Sequence, residues 1–74
     1  MEYWERLTKR QILKTAKTAK KIKRFTHEGG ISEKEITIED FFNQIKDYKI
    51  SSARKLKNII YVNTSYKVSF DIIL

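Results

Sequence analysis

From residue 2 to residue 26 the chain holds neither Gly nor Pro, and its apolar side chains recur at helical spacing. At about 100° per residue, Trp4, Leu7, Ile12, Ala16, Ala19, Ile22 and Phe25 fall on one broad side. Arg6, Lys9, Arg10, Lys14, Lys17, Lys20, Lys21 and Arg24 fall on the other, with Leu13 and Lys23 as misfits. The pattern predicts one long amphipathic helix within residues 1–28, followed by Gly29-Gly30 as a left-handed cap and chain reversal. Ile36-Thr37-Ile38 reads either as a brief strand or as the lead-in to a helix. Thr37 followed by Glu39 and Asp40 resembles an N-cap with an acidic first turn. Ile38, Phe41, Phe42, Ile45 and Tyr48 repeat at helical spacing, so a short helix is expected over residues 38–47.

Tyr48-Lys49-Ile50 reads as a turn, and Ser51 or Ser52 as the N-cap of a third helix over residues 51–60, with Ala53, Leu56 and Ile60 facing inward. The period then changes. Tyr66, Val68, Phe70 and Ile72 alternate with Lys67, Ser69 and Asp71, as in a half-buried strand. Ile59-Ile60-Tyr61-Val62 is β-branched and aromatic, and Asn63-Thr64-Ser65 reads as a tight turn, so residues 59–74 are expected to form an antiparallel hairpin. Residues 59–62 are claimed by both the third helix and the first hairpin strand. The expected fold is thus a small single α+β domain over residues 1–74: a long N-terminal helix, two shorter helices and a C-terminal β-hairpin.

This order resembles the winged-helix and helix-turn-helix superfamily of DNA-binding domains, in which the second helix of the pair enters the major groove beside a hairpin wing. The resemblance rests on element order over residues 36–68, including the helix pair 38–47 and 51–60, and not on a diagnostic motif. The first helix is longer and more basic than such domains need, and the turn between the paired helices lacks the small residue common there. The resemblance implies that the third helix reads the duplex. Arg54 would bond guanine bidentately and Asn58 adenine, while Lys55, Lys57 and the free N–H groups at Ser51 would hold phosphates. Lys67 on the wing would touch a neighbouring phosphate.

Charge sharpens this picture. The 74 residues carry 16 Lys and Arg against nine Asp and Glu, a net charge of +7. The balance is +6 over residues 1–28, −2 over 29–50 and +3 over 51–74. From Lys9 to Arg24 no acidic residue offsets the cations in sequence, which favours a polyanionic partner because each phosphate neutralised releases condensed counterions. Lys17, Lys20, Lys21 and Arg24 are the cations singled out there. A solvated face, with Glu2–Arg6 and Glu5–Lys9 pairs at its start, and an anionic membrane surface are the other readings of the same side.

Little in the sequence supports chemistry. There is no Cys, and the single His27, expected at a helix C-terminus, cannot build the usual structural zinc site. Ser51 and Ser52 have no base in reach, and no phosphate-cradling glycine loop is present. Glu33, Glu35, Glu39 and Asp40 form the one acidic cluster, read as capping charge in preference to a Mg²⁺ site. No enzyme, cofactor or metal is expected. No apolar run reaches the roughly 18 residues that span a bilayer; the absence of Cys fits a cytoplasmic protein, nucleoid-associated if it binds DNA.

Phe41 and Phe42 read as core; Tyr61 and Tyr66 either pack inward or stack on exposed bases. Tyr3 and Trp4 either close the core or build a dimer contact. The sequence therefore predicts a nucleic-acid-binding protein, with duplex DNA favoured, acting as a transcriptional or replication regulator. RNA binding and a small interaction module docking on an acidic protein surface are the alternatives, and homodimerisation is left open.

Overall fold

The structure, a computed structural model, describes residues 5–74, with side chains from Leu7 onward. The expected Glu2–Arg6 and Glu5–Lys9 pairs and the roles given to Tyr3 and Trp4 lie outside the described residues. Strand β1 (Glu5–Arg6) leads into helix α1 (Lys9–Ala16), strands β2 (Lys21–Thr26) and β3 (Ser32–Ile36), helix α2 (Ile38–Ile45), and strands β4 (Ile50–Leu56), β5 (Ile59–Thr64) and β6 (Val68–Ile73). The strands form one sheet in the order β1-β4-β5-β6-β2-β3, with every neighbouring pair antiparallel. As β1 contributes only two residues, the other five strands make up most of the sheet.

The expected long helix is therefore corrected. Helix α1 begins where Thr8 closes a capping box: its hydroxyl accepts from the Gln11 N–H, and the Gln11 side chain accepts from the Thr8 N–H at 2.8 Å. It ends after two turns. Thr18 donates its hydroxyl to the Thr15 carbonyl at 2.9 Å, satisfying a terminal acceptor without continuing the helix. The next residues, which include Ile22, Phe25 and Thr26, pair as β2 with β3 on one side and β6 on the other. A strand flanked on both sides satisfies its backbone as fully as a helix does, and these side chains suit the pleat. Gly29 and Gly30, at φ +66° and +128°, turn the β2–β3 hairpin and do not cap a helix.

The third helix is likewise absent. Residues 51–60 form most of β4, a two-residue turn at Lys57-Asn58, and the start of β5. Ala53 and Ile60 belong to the core face, while Leu56, paired with Ile59, lies on the opposite face. Their spacing of three and four residues imitates a helical stripe that the strands do not use. Without a long helix or a helix-turn-helix, the chain does not adopt the winged-helix-like architecture. The short helix is present as α2, with Thr37 accepting from the Asp40 N–H at 3.0 Å. The hairpin is present as β5 and β6, but inside the sheet and not as a projecting wing.

The alternating pairings make β1 parallel to β2, and β3 parallel to β4, so α1 and α2 are both crossover connections. They cross the sheet in opposite directions between strands that point in opposite directions. The right-handed rule then assigns both helices to the same face. The core lies there, where Ile12, Ala16, Phe41 and Ile45 of the helices meet Ile22, Ala53, Ile60, Val62, Val68, Phe70 and Ile72 of the sheet. Among the described residues no helix covers the other face. At the edge, β3 carries Glu33, Lys34 and Glu35, charges that discourage pairing with another chain. Among the described residues no helix is long and apolar enough to cross a membrane.

Candidate nucleic-acid interface

The two sides of the domain differ in charge. On the helical side, Lys9, Arg10, Lys14, Lys17 and Lys20 are all exposed along α1 and the turn after it. No acidic residue occurs in the first turn of α1, and Lys14 in its last turn complements the helix dipole. Arg10, Lys14 and Lys17 follow one another at helical i, i+4, i+7 spacing and form a stripe. At 1.5 Å per residue the cations from Lys9 to Lys17 span about 12 Å, roughly the axial length of three to four phosphates on one strand of a duplex. Among the described residues the ion pairs are Lys21–Glu35 at 3.9 Å and Lys23–Glu33 at 2.9 Å, both on the bare sheet face. The α1 cations take part in neither.

Beside this ridge, α1 and α2 enclose a groove of about 450 Å³. Leu13, Phe42 and Ile45 make its apolar floor. Lys9 and Lys17 stand on one wall, and Lys46, Asn43 and Glu39 on the other. The Phe42 ring sits 6.1 Å from that of Phe41, tilted at 48°, and is thereby held by the core without being buried in it.

The bare face is balanced. Register aligns Arg54, Tyr61, Asp71, Lys23 and Glu35 in a row across five strands, with Ser52, Asn63, Ser69, Phe25 and Glu33 in the next row. With Lys21 beside them, three cations among the described side chains of this face meet three carboxylates. Lys23 is held above its usual 10.5 by its hydrogen bond with Glu33 and then by the charge of that carboxylate. Half-burial pushes Asp71 above its usual 3.8, partly offset by Lys23. A depression of about 600 Å³ here is lined by Phe25, His27, Ile31, Arg54, Tyr61 and Asn63, among others. Incoming phosphates would meet Glu33, Glu35 and Asp71, so this face suits a polyanion less than α1 does.

The residues that sequence reasoning singled out do not form one site. Lys17 and Lys20 belong to the α1 ridge. Lys21 and Arg54 lie on the opposite face, Lys21 in an ion pair. Arg24 is turned toward the helices, where its Nη2 donates to the Tyr48 hydroxyl at 3.4 Å and its buried Nε has no partner. Ser51 donates to the Asn63 carbonyl at 3.1 Å and caps no helix. Lys55 shares the helix-facing side with Ile60, its register partner. Lys57 and Asn58 make the β4–β5 turn, and Lys67 ends the turn before β6. Arg54 and Asn58 therefore do not line a recognition helix.

His27 lies at the end of β2, and its Nε2 is 3.0 Å from the Ser69 hydroxyl, a contact that no local sequence spacing announces. The acidic cluster is divided: Glu33 and Glu35 are on the bare face, Glu39 and Asp40 in the first turn of α2. Among the described residues no group of His, Asp or Glu is arranged to hold a metal ion. Sequence reasoning missed the α1–α2 groove, because it comes from two helices packing side by side and Phe42 read simply as core. Comparison with protein families, curated proteins and solved structures finds no match for the chain.

Proposed function

We propose that the protein binds nucleic acid, without catalysing a reaction, by gripping the sugar–phosphate backbone with the cationic ridge of α1. The observation that carries this reading is the set of five exposed cations, Lys9, Arg10, Lys14, Lys17 and Lys20, none of them ion-paired among the described residues. Like charges packed on two turns of helix repel one another, and a row of phosphates relieves that repulsion while releasing counterions. The reading involves no base-reading helix, so affinity comes from the backbone and depends steeply on salt.

Fluorescence anisotropy of labelled oligonucleotides from about 50 to 300 mM salt tests it. Three to five phosphate contacts give a log–log slope of about −3 to −5 on duplex. The triple variant Arg10→Glu, Lys14→Glu, Lys17→Glu should weaken binding to every sequence and flatten the slope by two to three. Unchanged affinity and slope in that variant would remove α1 as the contact surface.

A further inference from the structure

Resting on that reading, we infer that the groove between α1 and α2 receives an unpaired base, so that the protein prefers single-stranded nucleic acid to duplex. The groove offers what one nucleotide needs. Its floor of Leu13, Phe42 and Ile45 is apolar and includes an aromatic ring, and its rim carries Lys9, Lys17 and Lys46 against the single acid Glu39. A base placed on Phe42 puts its flanking phosphates within reach of lysines on both walls. The same Lys9 and Lys17 belong to the ridge, so a strand following α1 meets the groove without changing face.

Size favours this occupant. About 450 Å³ lies at the small-ligand end of binding-site volumes. A partner protein would find a trough about 12 Å long and one helix wide, roughly 150 Å², against the roughly 800 Å² per partner of a stable protein interface. A duplex keeps its bases stacked and paired, so it can use the lysines but not the ring. Base–aromatic stacking tolerates any sequence, which agrees with backbone-driven affinity.

The test compares three labelled 15-mers at one salt concentration: oligo-dT, the same length of abasic strand, and a duplex. The inference expects oligo-dT to bind at least about fivefold tighter than the abasic strand, the lower end of one stacked base. Phe42→Leu keeps the apolar floor and removes the ring, and should erase that advantage while leaving duplex affinity unchanged. Phe42→Tyr should restore it, and circular dichroism confirms that each variant is folded. Equal binding of oligo-dT and the abasic strand, or no response to Phe42→Leu, would overturn the groove inference and leave the phosphate reading standing. Absence of binding to all three, repeated at about 50 mM salt, would instead sink the nucleic-acid reading, and this inference with it. Displacement of oligo-dT by an acidic leucine-containing peptide, with no dependence on Phe42, would reassign the helical side to a protein partner and overturn the inference.

Discussion

The ring of Phe41 on α2 meets that of Phe70 on β6 edge to face, with centroids 5.1 Å apart and planes at 81°. Both side chains are fully buried. The positive edge of one ring against the negative face of the other contributes about 0.5–1.5 kcal/mol beyond the apolar area removed from water. Truncating either ring to Ala should cost about 3–5 kcal/mol, measured by urea unfolding. The double variant should cost less than the two single ones together, because they share one contact. Simple additivity would show that the rings act independently.

Lys57 and Lys67 both hold φ of 57°, a left-handed conformation that side chains with a Cβ rarely adopt. Such a residue costs about 1–2 kcal/mol, while glycine adds about 0.5–1 kcal/mol of unfolded-state entropy. Lys57→Gly and Lys67→Gly should each stabilise the fold by up to about 1 kcal/mol. The sites bracket β5 at its two ends, so the gains should add. A loss of stability in either variant would mean that the lysine side chain contributes more than the strain removes.

Asp71 supplies a pH dependence of unusual sign. Half-burial raises its carboxyl above 3.8, so the native state holds that proton more tightly than the unfolded chain does. Its contribution to stability is fully present below the unfolded value and is lost as pH rises through the folded one. Asp71→Asn should remove this loss. Denaturant unfolding of both proteins between about pH 3 and 7 should show the variant gaining relative to the parent as pH rises. Parallel curves would show that Asp71 titrates alike in both states.

Arg54 stands on the bare sheet face, in register with Tyr61. Arg54→Ala should leave oligonucleotide affinity and salt slope within about twofold of the parent protein, whereas a lost α1 cation should lower the slope by close to one. A marked loss at Arg54, read by the same anisotropy titration, would move the contact surface to the bare face.

Helix α2 was legible because every local signal agreed. Thr37 caps it, Glu39 and Asp40 fill its first turn, and Phe41 and Ile45 repeat on one side. The β5–β6 hairpin was legible for the same reason, since β6 alternates strictly between buried and half-buried positions. The N-terminal third misled because Ile22 and Phe25 continue the helical phase of Ile12 and Ala16 across a break marked by neither Gly nor Pro. In the structure Ile22 faces the core and Phe25 the opposite side, and pairing with β3 and β6 overrides helix propensity. The expected basic side is split by the change: Lys9, Arg10, Lys14, Lys17 and Lys20 stay exposed on α1 and the turn after it, while Lys21 lies on the bare face and Arg24 turns toward the helices. The groove was invisible because it depends on α1 lying beside α2, which only the two crossovers establish.

The central position of β6 has a bearing on how the chain comes to be folded at all. Among the five longer strands it occupies the middle, yet it follows all the others in sequence. Until β6 is in place, the β2–β3 and β4–β5 ribbons have no strand to join them, and isolated two-stranded ribbons are marginal in water. The cationic helix and its neighbour would be exposed on the nascent chain well before the sheet beneath them can close. Closure of the sheet is therefore expected to wait for β6, which alone bridges the two ribbons.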